Sequence, residues 1–419
     1  MMGKRSPSGK IRKRANARRS SAKNLKSAAA KPKARTARAA RSIRVPAADS
    51  LAHARELAMR GAFRDAFDIV GSILAADPAN WRAKHLMALI LWSANHRDKA
   101  VPLMAETIAT APDTADVRTE CVPELLRMAA KSNLKTDVAL ALGEQTIARH
   151  GPTFPLLEGL TTLHLARGTI SQALAVAERL VELHPDNPKS HFVLSAPLLV
   201  LGRDEDAVAA YGRGLRPRDG AEPSSPALLK RQYGSLAGAY DQNQLHQSFS
   251  ERMARFLLGV VGNMSGKRIL DAGCGTGLLG TRLEAARLVG IDLSPDMLAK
   301  ARARGIYAEL VEGDMAGAMA DRADRFDIVA SSCALYHLAD LASFFRQSAR
   351  ILVPGGYLLF SADPAPDSME IAVTNPGEYA HSRRYLRRLA AENGFAESAI
   401  RIMEHRYYLG FWCAFRREA

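Results

Sequence analysis

The sequence predicts two architectures in one chain: an all-α solenoid of helix pairs, then a mostly parallel, doubly wound α/β sheet. Three observations carry this. A 34-residue period runs through the first half, and the second half alternates short apolar strands with helical stretches. The first of those strands also ends in a carboxylate followed by alternating glycines, "RILDAGCGTGLLG" from Arg268 to Gly280. Strand–helix alternation favours a parallel sheet because each crossover helix returns the chain in the same direction.

At 419 residues the chain is too long for one ordinary domain. We divide it into a basic tail (1–44), helical repeats (46–220), a Pro/Ser-rich linker (221–227) and a sheet domain (228–419). The formal charge of +15 is unevenly placed, because residues 1–44 hold 16 Lys and Arg and no acid. The remainder carries 42 basic against 43 acidic residues and is close to neutral. The tail is too poor in apolar residues to fold and reads as a disordered arm. Attraction to nucleic acid or an anionic surface, or a transit peptide, are the other readings of such a composition. No apolar run approaches the roughly 20 residues that a spanning helix needs. Cys121, Cys274, Cys333 and Cys413 stand far apart with no CxxC pair. That argues against a disulfide framework or a metal site and fits a reducing, cytoplasmic setting.

In the first half, Gly61, Asn95, Gly168 and Gly202 mark turns, and Ala66, Ala100, Ala173 and Ala207 follow five residues later. The small residue lets two helices pass closely, and a proline such as Pro78 or Pro112 cannot continue the helix it follows. These units resemble tetratricopeptide repeats, with four clear copies and a degenerate one between Asp113 and Pro152. The resemblance implies a concave face for extended peptides. A helical spacer or a surface packed on the second half is the alternative.

In the second half, strands are expected at Arg268–Asp271, Leu288–Asp292, Ala308–Val311, Phe326–Ser331 and Tyr357–Ser361, with "AIRIMEHRYY" and "GFWCAFRR" as a closing pair. Ligands in such sheets bind beyond the carboxyl ends of the strands, where Asp271 and its glycines fall. The spacing Gly275-x-Gly277-x-x-Gly280 also fits a dinucleotide site. Asp271 would repel a diphosphate there by about 4 kcal/mol at roughly 4 Å and an effective dielectric of about 20. A carboxylate before the glycines suits S-adenosylmethionine, which carries a sulfonium and an ammonium. No Gly-Lys-Ser/Thr is present for a P-loop. Asp292, ending "LVGID", can bind a ribose diol, and Ser294 with Pro295 begins a helix.

"LDAGCGTG", "GIDLSPDML", "EGDM", "FDIVASSCALYHL" and "LVPGGYLLF" stand in the order and spacing of class I S-adenosylmethionine-dependent methyltransferases. The chain resembles bacterial tetratricopeptide-containing methyltransferases of this class, including the flanking "YGSLAGAYD" and "EYAHSRRYLRRLAAENGF". The resemblance implies a Rossmann-like, mostly parallel seven-stranded sheet. It further implies that Asp271, Gly273, Gly275 and Gly277 line the methionine end of the cofactor. Asp292 would take the ribose, with Leu293 beside the adenine, Asp314 on its amino group and Met315 on its ring. Ser331 and Ser332 would border the transferable methyl, and Tyr233 and Tyr240 would cap the site. Relatives more often begin the cap segment with Phe-Asp.

Plainer roles stand beside these. Asp314 can end a strand, Tyr233 and Tyr240 can simply pack, and Cys274 can be a small filler. Cys333 lacks the preceding proline of cytosine-methylating enzymes, which argues against a covalent mechanism. No Asp/Asn-Pro-Pro-aromatic follows the fourth strand, against amino methylation of nucleic acid. The sulfonium makes methyl transfer easy, so in-line placement of a nucleophile is the main task. A base is needed only for an acceptor that carries a proton. His337 is the candidate, with burial in the fold as its alternative, and His381 is a second choice beside Arg383 and Arg384. The expected function is methyl transfer to an unidentified small molecule or protein, with the repeats recruiting a partner. The alternative is an interaction scaffold whose sheet domain binds cofactor without catalysis.

Overall fold

The computed structural model describes residues 47–218, 225–406 and 408–419. The expected basic tail and residues 221–224 of the expected linker lie outside the described residues. The helical region comprises α1 (Ala47–Met59), α2 (Phe63–Ala76), α3 (Trp81–Ser93), α4 (Arg97–Thr110), α5 (Ala115–Ser132), α6 (Thr136–His150), α7 (Phe154–Ala166), α8 (Ile170–Leu183), α9 (Pro188–Val200) and α10 (Asp204–Arg213). Consecutive helices pack on one another. The turn residues Gly61, Asn95, Gly168 and Gly202 all adopt left-handed backbone. Ala66, Ala100, Ala173 and Ala207 are fully buried, where larger side chains would hold the helices apart. The unit between Asp113 and Pro152 uses the same device with one residue inserted. Asn133 and Lys135 are left-handed at φ 59° and 54°, and buried Ala139 follows Asn133 by six positions rather than five.

A short strand, β1 (Arg216–Pro217), follows α10. Then come α11 (Pro226–Leu236), α12 (Gln244–Val261), β2 (Arg268–Ala272), β3 (Arg287–Asp292), α13 (Pro295–Ala303), β4 (Glu309–Glu312), α14 (Met315–Ala320), β5 (Phe326–Ser331) and α15 (Ala342–Ile351). The chain closes with β6 (Leu352–Ala365), β7 (Ile371–Asn375), β8 (Glu378–Ser382), α16 (Arg383–Glu392), β9 (Phe395–Met403) and β10 (Gly410–Arg417). Side-chain caps start several helices. Ser225 accepts from Leu228 N–H, Asn243 from Leu245, Ser294 from Met297 and Ser382 from Tyr385.

Strands β4, β3, β2, β5 and β6 lie side by side in that order, all parallel. Strand β10 runs antiparallel to β6, and β9 antiparallel to β10. This is a Rossmann-like sheet with a mixed edge. The expected seven strands become ten among the described residues. The difference lies in β6, which is 14 residues long. Its end, Asp363–Ala365, pairs in parallel with β8, which pairs with β7, which in turn pairs with β1. These additions are short, and β1 has only two residues, too few to show a period.

Alternation along the strands divides the sheet's residues between two cores. Leu270, Val289, Val329 and Phe360 join one cluster, and Ile269, Leu288, Ile328 and Leu359 the other. The first cluster also contains Leu194, Leu198, Val208, Tyr211 and Leu215 from α9, α10 and the turn after them. One hydrophobic core therefore runs from the last repeats into the sheet. Phe192 packs on Tyr211 and Tyr408, with ring centroids 4.6 and 5.6 Å away. Arg383 of α16 donates to Glu205 of α10 at 2.8 Å, and Arg97 of α4 to Gln244 of α12 at 2.7 Å.

Gly212 of α10 shows how close this approach is. A Cβ there would lie 2.9 Å from Pro366 Cγ and 3.0 Å from its Cδ. Gly to Ala inside a helix ordinarily stabilises by about 0.5–1 kcal/mol. Here Gly212→Ala is expected to destabilise by about 1–3 kcal/mol, because a proline ring cannot swing aside. Urea unfolding of the full chain checks this, and a stabilised variant would show that α10 does not press on the end of β6.

Candidate functional site

The tips of β2, β3 and β5 converge on two adjoining cavities of about 310 and 130 Å³. Both are lined by Tyr233, Tyr240, Gly273, Gly275, Ser332 and Cys333. The larger extends to Asp271, Thr276, Tyr336, Glu378 and Arg406. The smaller extends to Asp292, Leu293, Asp314, Met315 and His337.

Asp292, at the end of β3, organises the floor. Its Oδ2 accepts the Gly275 N–H at 2.8 Å and its Oδ1 the Ser294 N–H at 2.8 Å. Burial pushes its carboxyl above the ordinary range, while these backbone donors pull it down. Gly273, Gly275 and Gly277 all adopt left-handed backbone. A Cβ on Gly275 would meet nothing within 4 Å, so its backbone lies open. A Cβ on Gly273 would come 2.8 Å from that of Ala334.

Asp271 is almost wholly buried, and its Oδ2 accepts the Tyr307 hydroxyl at 2.7 Å. Burial pushes its carboxyl up to about 7; the Tyr307 hydrogen bond opposes this and the charge on Asp292 adds to it. No arginine or lysine bonds to it among the described residues. The expected repulsion of a diphosphate assumed full ionisation, and near neutrality much of this carboxyl is protonated.

Asp314 caps α14, its Oδ1 accepting the Gly317 N–H at 2.8 Å, and also faces the smaller cavity. Ser331 is fully buried, with its Oγ 4.0 Å from Met315 Sδ, and lies outside both linings, whereas Ser332, named with it, lines both. Tyr233 hydroxyl is 2.7 Å from His337 Nε2 and 3.0 Å from the Tyr336 hydroxyl. Tyr240 stacks on His246 with centroids 3.8 Å apart. Burial holds the His337 imidazole down at about 4, so it is neutral at pH 7, and its Nδ1 has no partner among the described residues. His381 is fully buried, bonded to the Ala339 carbonyl at 3.2 Å, and lines neither cavity. Arg383 is committed to Glu205.

Two groups of residues escaped the sequence reading. Asp241 anchors the cap segment: its Oδ1 accepts the Thr276 hydroxyl and its Oδ2 the Arg304 guanidinium, each at 2.5 Å. It belongs to "YGSLAGAYD", so the signal was present but its partner was not. The second group joins Cys333, Ser361, Asp363, Glu378, His405 and Arg406. His405 Nδ1 lies 2.9 Å from Asp363 Oδ1 and its Nε2 3.3 Å from Cys333 Sγ. Arg406 donates to Asp363 at 2.9 Å and to both Glu378 oxygens at 2.8 Å.

Asp271→Asn isolates the carboxyl's effect on folding. With a folded value of about 7 against an ordinary 3.8, the native state holds a proton that the unfolded chain gives up. Stability from this group is complete below about 4 and is lost as pH rises to 7, at on the order of 1.4 kcal/mol per unit. The asparagine variant is expected to gain stability over the parent at pH 8 and little near pH 4. Parallel stability–pH curves would show that Asp271 is not the buried acid described.

Residues 270–360 match the family model described as a methyltransferase domain. The ubiquinone biosynthesis O-methyltransferase of Alkalilimnicola ehrlichii is 37% identical over 107 residues, covering 24% of this chain and 43% of the relative. The demethylmenaquinone methyltransferase of Tropheryma whipplei is 31% identical over 173 residues, covering 38% and 62%. The chain thus spans about half the length of the curated relatives it matches. Among solved structures, the 1,6-didemethyltoxoflavin-N1-methyltransferase of Burkholderia thailandensis, with S-adenosylhomocysteine, aligns at 16% identity and a TM-score of 0.40, covering 49% of this chain and 95% of that one. Magnesium protoporphyrin IX methyltransferase of Synechocystis, with S-adenosylhomocysteine, aligns at 18% identity and a TM-score of 0.35, covering 45% and 87%.

Proposed function

We propose that this chain, with its methyltransferase domain at residues 270–360, transfers a methyl group from S-adenosylmethionine to an acceptor held in the larger cavity. The observation that carries the reading is the junction of two cavities over the open backbone of Gly275, with Asp292 at one side and Asp271 at the other. The residues fit that cofactor. Asp292 retains acceptor capacity for a ribose diol beyond its two backbone donors. Leu293 and Met315 offer apolar surface for the adenine, with Asp314 at its edge. Among the described residues Asp271 has no positive partner, and an ammonium beside it would favour its ionised form. A diphosphate finds less here. Arg406 is the one arginine or lysine among the described lining residues, and it is already bonded to Asp363 and Glu378.

When bound, the cofactor supplies an electrophilic methyl on a cationic sulfur. The chain's own work is placement. Tyr233 and Tyr240 cover the junction, and Asp241 holds that cover to the glycine loop through Thr276 and Arg304. His337, neutral at pH 7, fixes the Tyr233 hydroxyl and is the candidate acceptor of a proton through it. The acceptor's identity stays open between a small molecule and a protein.

We further infer that α1–α10 act as a tetratricopeptide-like array that recruits a partner. Recurrent left-handed turns and buried alanines support this, as does a groove of about 880 Å³ between α1, α3 and α5. No described helix is long and apolar enough to cross a membrane.

Calorimetric titration of the full chain with S-adenosylmethionine and with NAD tests the cofactor assignment. The sulfonium compound is expected to bind and the dinucleotide not to. Asp292→Ala should weaken binding on the order of tenfold or more, since two backbone donors and the diol lose their acceptor. His337→Ala should leave affinity nearly unchanged. Tight NAD binding with no response to S-adenosylmethionine would end the methyl-transfer reading.

A further inference from the structure

Cys333 has surroundings that methyl transfer does not require. It stands two residues past β5, at left-handed φ 51°, and its N–H donates to Ser361 Oγ at 3.0 Å. Its sulfur faces His405 Nε2 at 3.3 Å, and His405 Nδ1 is held by Asp363 at 2.9 Å. The order is nucleophile, imidazole, carboxylate, which is the arrangement that activates a weak nucleophile. His405 and Asp363 are almost wholly buried, whereas Cys333 is half-buried and lines both cavities.

The titratable groups that share the two cavities with this sulfur include Asp271, Asp292, Asp314, His246, His337 and Glu378. His405 and Arg406 are positive; Asp363 and Glu378 are negative and bonded to them. Tyr336 and Tyr240 are neutral, their hydroxyls pushed upward by burial. Burial pushes the Cys333 thiol up, but the adjacent His405 overrides it, and the thiol ends below its ordinary range. Burial pulls His405 down, yet the Cys333 and Asp363 charges lift it to about 9. Cys121, Cys274 and Cys413 go the other way, raised by burial.

We propose that Cys333 is a nucleophilic modification site: a thiolate, held by His405 and Asp363, that is alkylated by soft carbon electrophiles entering the larger cavity. In the step, Cys333 Sγ attacks the electrophilic carbon and an S–C bond forms. The bond to the leaving group breaks, and the leaving group departs with the electron pair. His405, which keeps Asp363 at Nδ1 but has lost the thiolate beside Nε2, releases its Nε2 proton to the leaving group or to water. The adduct stands where the two cavities meet. Nothing in this step depends on the cofactor assignment, so it is tested without cofactor.

The full chain is treated with iodoacetamide between pH 5 and pH 9, and alkylation of each cysteine peptide is followed by mass spectrometry. At pH 6, Cys333 is expected to react on the order of tenfold faster than in the urea-unfolded chain, with the other three cysteines slow. His405→Ala and Asp363→Asn should return its pH profile towards that of the unfolded chain. Ser361→Ala, a milder change, should shift the profile less while leaving the fold intact by circular dichroism. The parent protein alone decides the matter if the variants do not fold. A Cys333 profile that overlays the unfolded chain, or no labelling at pH 6, overturns the proposal.

Discussion

One carboxylate holds the site together. Asp292 leaves the tip of β3 and accepts the Gly275 N–H with one oxygen and the Ser294 N–H with the other. The glycine loop after β2 and the start of α13 are thereby tied to a single side chain. Ser294 passes the constraint on by capping Met297. Each buried donor would cost about 1–3 kcal/mol if left unpaired, so the loop's shape is firmly specified. An ordinary side chain at Gly275 would enter the space this arrangement leaves open.

Asp271 makes a contrast one strand away. Both are acids at strand tips, and both are pushed upward by burial. Asp292 is compensated by backbone donors, but among the described residues Asp271 has only the Tyr307 hydroxyl. A fold that buries an acid with so little compensation leaves its charge to be completed by what binds. The roof above is less intrinsic. It is a segment before α12 fastened at Asp241; Tyr233 bonds to Tyr336 and His337, while Tyr240 stacks on His246.

Much of this was legible in the sequence because its cues are local. Asp271 to Gly277 and Asp292 to Pro295 each fix their own backbone within a few residues, through glycine, proline and capping preferences. The left-handed turns and buried alanines of the helical region were legible where their spacing was constant; in the copy read as degenerate, between Asp113 and Pro152, an inserted residue after Asn133 moves Ala139 out of register. The Cys333 cluster was not legible for a different reason. Cys333, Asp363 and His405 are 30 and 72 residues from one another along the chain, counted from Cys333. They meet only because β6 continues past the main sheet and the turn before β10 folds back over it. Of the two serines named from the sequence, strand alternation turns Ser331 inward and leaves Ser332, with Cys333, facing the cavities. The strands β1, β7 and β8 depend on that same extension of β6, since none has enough residues to declare itself.

The long β6 and the core it shares with α9 and α10 bear on how a recruited molecule would be presented. Where a binding module hangs on a slack tether, its cargo samples a volume, and chance encounter decides which atom meets the reactive centre. Here the last helices and the sheet that carries the cavities share one continuous packed core. If the helices recruit a partner, that shared core would limit the distances and bearings its cargo can sample. Selectivity among bound partners would then follow from where along its length each one carries a reactive atom.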